Sequence, residues 1–464
     1  MFWLRGWSGL FGPTVTNLRL FSVVLGLLLL PAVYGLCQEL FPGTWVGAIA
    51  LALVAQSPFH LLYAQEARPY SLWALLIAMS QLALLRALRL KTASAWLLYG
   101  LSFAAGLYCH LLHGLVLIGQ AAFVAWQEWR PQGEIGGLGS WRKSLSRGTG
   151  RNFGGACLLG SLLFAPWALF AMINFDNFQT ATAGATASSQ GLQPALGELI
   201  KGWVKGWNLM LLDFNLDETA PRPLLLALGL LLGINLVWMA IALYQFIRWS
   251  DRLPKQLLLA SIGTTAALLI LPDFAIGGHR SGAFRYWLPA LLSMQLVMAF
   301  VLSRWLEQGP RRWGQLLLIG LLAMGLISNS AMVMSWSWWS KDSANANLDI
   351  PALVRDYHQA PGQPTSAQPA SGQQAASHPQ TASKPPGPLF VSDQFFVYAL
   401  AASHAMPPEA QWLLLERGQP LRSPIPKSYG RFYLYDPSEN LLRQVQSQYR
   451  VKPFTSAFWQ VDSP

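Results

Sequence analysis

The chain has 464 residues, of which 53% are hydrophobic and only 11% charged, with a mean hydropathy of +0.33. Ordinary soluble domains carry about a quarter charged residues, so this composition excludes one and indicates a polytopic α-helical membrane protein with a polar tail. The net charge of +11 does not indicate nucleic acid, because the basic residues fall mostly in short loops between apolar runs, where they set orientation.

In chain order, the first 17 residues carry no signal-peptide pattern. About ten apolar spans long enough for a bilayer core follow, approximately Leu18–Leu40, Thr44–His60, Pro69–Leu90, Ala95–Tyr108, Leu112–Glu128, Phe153–Ile173, Leu224–Ile247, Gln256–Phe274, Phe284–Leu306 and Trp313–Trp336. With alternating spans, Arg86, Arg89, Lys91, Arg130, Arg142, Lys143, Arg147, Arg151, Arg248, Arg252, Lys255, Arg304, Arg311 and Arg312 all fall on one side, which the positive-inside rule makes cytoplasmic. The other side receives Ser57–Ser71, Cys109–Gly114, Asn174–Arg222 and Ala275–Arg285. Within the long loop, Leu196–Leu212 places Trp203 and Trp207 one turn apart and predicts an interfacial helix, with a substrate lid as the alternative. Residues 337–388 read as a tether rich in Pro, Gln, Ala and Ser over Gln359–Pro388. Residues 389–464 read as a small extracytoplasmic α/β domain, with strands at Leu389–Asp393, Arg431–Asp436 and Phe454–Val461 and helices at Gln394–Ala405 and Asn440–Tyr449. Cys37, Cys109 and Cys157 lie in separate apolar runs without metal-ligand spacing.

The segment from Ser57 to Ser71 is the most informative. It places Glu66, Arg68, Tyr63 and Tyr70 between two apolar runs, and charges beside a bilayer core are costly and usually functional. Pro69 disfavours helical geometry at Arg68 and suits the start of a new helix, so Arg68 is expected at a helix mouth, a place suited to phosphate. Glu66 and Arg68, two apart, would not face each other on a helix, although they can still satisfy one another or Arg285 as a network.

Tyr63-Ala-Gln-Glu-Ala-Arg-Pro-Tyr70 closely resembles the Q-E-A-R-x-Y signature of the GT-C glycosyltransferases of the protein-mannosyltransferase and aminoarabinose-transferase branch. Leu10-Phe-Gly12 with Asn17-Leu-Arg-Leu-Phe-Ser22, Leu107-Tyr-Cys-His110, Ala165-Pro-Trp167 and Arg285-Tyr-Trp-Leu-Pro289 are similar to further motifs of that family, in the same order. The resemblance implies a GT-C-like membrane domain over residues 18–336, a polyprenyl-phosphate-linked sugar as donor, a lipid, glycan or protein acceptor, and an integral location in the plasma (inner) membrane. Its candidate donor-binding residues are Arg68, Arg285, Glu66, Gln65, Tyr70, Tyr286, His279, Arg280 and His110. Arginine suits phosphate because its fork pairs two oxygens at once. His110 and His113, three apart, can share a helix face, be hydrogen-bonded structure or bind a metal. No metal site is assigned, and a divalent cation stays open as a cofactor.

The family's base is an aspartate in the first outer loop, yet residues 1 to 38 contain no Asp or Glu. The expectation is that residues 1–17 are the remnant of that loop, with the first helix and the base upstream of Met1 or lost by truncation. The catalytic residue is therefore unassigned. The expected function is transfer of a sugar from a polyprenyl-phosphate carrier on the outer face. The alternative is a non-catalytic carrier-binding scaffold or an inactive truncated transferase. A transporter is disfavoured, since no internal repeat is evident.

Overall fold

In the computed structural model, the described residues are 2–12, 14–128, 148–175, 196–213, 221–276, 280–334, 353, 388–393, 406, 409–415, 421, 425, 431–455 and 458–462. Helix α1 (Phe2–Phe11) occupies residues expected as a loop remnant. Gly12 ends it with φ +86°, a conformation that favours glycine. Helix α2 (Val15–Leu40) is capped by Thr14, whose hydroxyl accepts from the Asn17 amide. Trp7 Nε1 donates to the Asn17 carbonyl at 2.8 Å, pinning α1 to α2.

The second expected span is broken. Helices α3 (Val46–Ala55) and α4 (Pro58–Ala64) meet at a 58° bend. Pro58 has no amide to continue the helix and holds Ser57 extended, at φ −72° and ψ 118°. The Gln56 carbonyl at the break accepts from Asn329 Nδ2 at 3.1 Å. The chain continues through α5 (Tyr70–Leu90), α6 (Ala93–Cys109), α7 (His113–Glu128), α8 (Thr149–Ile173), α9 (Leu196–Asn208), α10 (Arg222–Trp249), α11 (Arg252–Ile276), a 3-10 turn (Phe284–Trp287), α12 (Leu288–Gln308) and α13 (Arg311–Met334). All ten expected spans fall on helices. By length and apolarity, however, seven described helices can cross a membrane, or eight if the bent pair is one span. The difference lies in the break at Ser57 and in α6 and α7, which have only 17 and 16 residues.

The helices are held by polar contacts inside and by close backbone approach. Tyr99 donates to Gln120 Oε1 at 2.8 Å and Gln120 Nε2 to Ser80 at 3.0 Å, which knits α5, α6 and α7 together. Every residue of α12 from Leu288 to Ser303 is buried, so this helix is the central one. At one end of the helices Glu39 of α2 pairs with Arg86 at 3.3 Å and Arg89 at 2.7 Å. At the opposite end lie the α4–α5 turn, the α6–α7 turn and the turn before α12.

The chain divides into two compact units, Met1–Met334 and Ser335–Pro464. The second contains a mixed five-stranded sheet in the order β2-β1-β3-β5-β4. Strand β1 (Leu389–Ser392) is parallel to both β2 (Gln411–Leu414) and β3 (Arg431–Tyr435). Strand β5 (Phe458–Asp462) is antiparallel to β3 and to β4 (Arg450–Pro453). Helix α14 (Glu439–Gln448) is capped by Ser438, whose amide donates to Asp393 at 2.9 Å. The expected strands at 389 and 431 and the helix near 440 are present. The expected last strand begins at Phe458, because Phe454 and Thr455 turn the β4–β5 hairpin. The expected helix Gln394–Ala405, and the tether except Leu353 and Pro388, lie outside the described residues; Leu353 is buried against Phe390 and Tyr433.

Candidate functional site

Three turns at one end of the helices carry the candidate residues. The first joins α4 to α5. Here the Arg68 amide donates to the Glu66 carbonyl at 2.8 Å, and Arg68 Nε lies 3.4 Å from Glu66 Oε2. A turn therefore brings together two residues that a helix would keep apart. Arg68 is half exposed, whereas Glu66 is largely covered. Gln65 caps α4, its amide donating to the Leu61 and Leu62 carbonyls. Pro69 caps α5 without a side-chain partner for the first amides, so the positive end of the α5 dipole stays open beside Arg68.

The second turn is Phe284–Trp287, which leads into α12. The Arg285 guanidinium lies 5.1 Å from the centre of the Tyr286 ring, and its Nε is buried without a hydrogen-bond partner. The turn is braced from several sides. Trp287 Nε1 donates to the Ser281 carbonyl at 2.7 Å. From α9, Gly206 has so little space that an added Cβ would sit 2.8 Å from the Phe284 Cβ, and Trp207 packs on Trp287 with centroids 5.6 Å apart. The predicted interfacial helix is thus also the support of the Arg285 turn.

The third turn, between α6 and α7, carries His110. Its ring stacks on Trp73 of α5, with centroids 4.3 Å apart and planes 13° from parallel. A chain of rings joins the three turns: Tyr63 to Tyr70 at 4.5 Å, Tyr70 to His110 at 5.8 Å, and His110 to Tyr286 at 6.2 Å. Tyr70 lies within electrostatic reach of both Arg68 and Arg285. The structure therefore gathers Glu66, Arg68, Tyr70, His110, Arg285 and Tyr286. Burial lowers the His110 pKa to about 4, and the Arg285 charge acts in the same direction.

Arg280 is placed differently. It sits 3.6 Å from Asp273, whose buried carboxylate also accepts from the Arg280 amide at 3.0 Å and the Ser281 amide at 2.6 Å. Asp273 thus clamps the start of the Arg285 turn. Replacing it with alanine is expected to leave the Arg280 and Ser281 amides without their acceptor, costing about 1–3 kcal/mol and lowering the melting temperature in detergent. Asp273→Asn, which keeps one acceptor oxygen, should cost less. His279 lies outside the described residues. Among the described residues, no cluster of three or more His, Cys, Asp or Glu side chains is arranged to hold a metal. Sequence reasoning missed Trp73; its position three residues after Tyr70, on the same face of α5, was the available signal.

Residues 1–133 match the dolichyl-phosphate-mannose-protein mannosyltransferase family. That stretch contains Gln65–Tyr70 and His110, so the expected resemblance to GT-C glycosyltransferases holds over the N-terminal part of the chain. No match was found among curated proteins. Two solved structures of an oligosaccharyltransferase from Archaeoglobus fulgidus are similar. One is AglB in complex with an inhibitory peptide and a dolichol-phosphate, at 14% identity and a TM-score of 0.44; the other is the apo form, at 13% and 0.45. Each alignment covers 88% of this chain and 56% of that one, so the chain spans about half the length of those structures. The protein is a polytopic helical membrane protein with a small α/β C-terminal unit.

Proposed function

We propose that the protein is a GT-C-type glycosyltransferase that takes a sugar from a polyprenyl-phosphate carrier at the outer face of a plasma membrane. The observation that carries this reading is the pair of arginines, Arg68 and Arg285, each just ahead of a long helix and both within electrostatic reach of Tyr70. Two cations and two helix starts in an apolar chain make an anion site. The buried, unpartnered Nε of Arg285 leaves a donor free for a phosphate oxygen.

In the reaction, an acceptor hydroxyl forms a new bond to the sugar's anomeric carbon as the carbon–oxygen bond to phosphate breaks. The prenyl phosphate leaves with the bonding electrons, and the acceptor's proton passes to a base. Arg68 and Arg285 offset the charge that develops on the leaving phosphate. Tyr70 and Tyr286 line the sugar or the prenyl entrance. Glu66 is held to Arg68 and is not assigned as the base. Residues 18–336 form the transferase domain, 337–388 a tether and 389–464 an extracytoplasmic domain.

The test is binding and transfer by purified protein in nanodiscs, with a radiolabelled polyprenyl-phosphate sugar. The expected result is saturable binding that a prenyl monophosphate displaces and a nucleotide sugar does not, with label passing to a cell-envelope acceptor. Binding without transfer would favour the non-catalytic carrier-binding reading, and absence of binding would sink both.

A further inference from the structure

The turn at His110 fixes more than the position of a ring. The His110 amide donates to the Gly106 carbonyl at 2.9 Å, and the His113 amide donates back to the His110 carbonyl at 2.8 Å. The Leu112 amide then points at His110 Nδ1, 3.2 Å away. A ring nitrogen that accepts an N–H bond carries no proton of its own. In a neutral imidazole the proton must then lie on Nε2. Trp73 holds the plane of the ring by stacking.

The surroundings oppose a second proton. Facing the ring are Tyr70 of α5, Tyr286 and Arg285 of the turn before α12, His113 of α7 and the preceding Cys109 of α6. Arg285 is the permanent charge among them, and it is positive. Among the described residues no carboxylate bonds to His110. Among the described residues its Nε2 has no hydrogen-bond partner, and it is not among the buried polar atoms that lack one, so it reaches the surface of the helical unit. It is an oriented donor left open within electrostatic reach of Arg285.

We propose that His110 is a neutral hydrogen-bond donor that positions the carrier, giving Nε2–H to a phosphate oxygen beside Arg285, and that it is not the base of the reaction. This rests on the carrier-phosphate reading of the site. As Nδ1 is engaged and Nε2 already protonated, the ring has no free lone pair with which to accept the acceptor's proton. A donor fixed before the substrate arrives has no reorganisation cost as charge grows on the leaving phosphate.

The experiment has two arms. In the first, protein with 15N-labelled histidine is studied by NMR in nanodiscs, with His110→Gln assigning the resonances. His110 should show a protonated Nε2 and an unprotonated Nδ1, unchanged between pH 5.5 and 8. A proton on Nδ1, or titration near pH 6.5, would overturn the proposal. The second arm measures binding of farnesyl phosphate. His110→Gln keeps an N–H donor and should bind within a few-fold of wild type. His110→Phe keeps the stack but has no donor, and should bind roughly tenfold or more weakly. A purely structural ring predicts the reverse order, and equal binding by both variants and wild type would also overturn the donor role. Wild-type protein that binds no farnesyl phosphate overturns the phosphate reading of the whole site. Wild-type binding with the wrong tautomer overturns the His110 inference alone.

Discussion

Replacing Arg285 with alanine is expected to weaken binding of a prenyl phosphate by about a hundredfold without lowering the melting temperature. Truncating one member of a desolvated charge pair costs about 2–5 kcal/mol of affinity, and about 1.4 kcal/mol corresponds to a factor of ten. The cost to folding should be small for a reason visible in the free protein. The guanidinium rests on Tyr286, and its Nε is buried without a partner. Truncation removes the contact with Tyr286 but also the penalty of the unsatisfied buried Nε, and the two offset. Arg285→Lys keeps the charge but not the planar fork, so its affinity should fall between the two. Arg68→Ala should weaken binding less, because Arg68 is half exposed and already paired with Glu66. Calorimetric binding beside thermal unfolding in the same detergent checks this. An Arg285→Ala protein that melts early and binds normally would make Arg285 a structural residue.

Gly100→Ala is expected to lower stability markedly. A methyl group there would lie 2.8 Å from the Ala156 carbonyl oxygen, and one at Gly160 would meet the Gly100 carbonyl at 2.9 Å. Helices α6 and α8 thus touch backbone to backbone, as small residues permit in membranes. A backbone oxygen cannot rotate away like a side chain, so the helices must separate. Overpacking of this kind costs about 1–3 kcal/mol. The loss matters because few residues of α8 are buried, and α6 is its main neighbour. Gly155→Ala is the control: nothing lies within 4 Å of its added carbon. That variant should melt at or above the wild-type temperature, since alanine favours the helix by about 1 kcal/mol.

The apolar runs made the helices legible, because twenty or so apolar residues leave the backbone no other way to satisfy itself in lipid. The break at Ser57 was missed, although Gln56-Ser57-Pro58 signalled it, because apolar residues dominate both sides, Val46–Ala55 before it and Pro58–Ala64 after it. Strands β2 and β4 were missed because four residues carry too little alternation to stand out. Within the site, the sequence named the arginines but not their different fates. Only tertiary contacts reveal that Asp273 takes Arg280, that a turn pairs Arg68 with Glu66, and that Arg285 is left with a free nitrogen. The pairing of Trp73 with His110 joins residues 37 apart, since 110 − 73 = 37, beyond any local pattern.

The continuous burial of α12 separates the roles of the two arginine-bearing turns. Arg285 is the last step before a helix packed on all sides and is clamped from behind by α9 and Asp273, so it is an anvil that stays still. Arg68 sits on a half-exposed turn beside a bent helix pair, with no comparable backing. On the proposed function, a phosphate met between the two arginines would find Arg285 fixed, so adjustment to the carrier would fall to the Gln65–Pro69 turn.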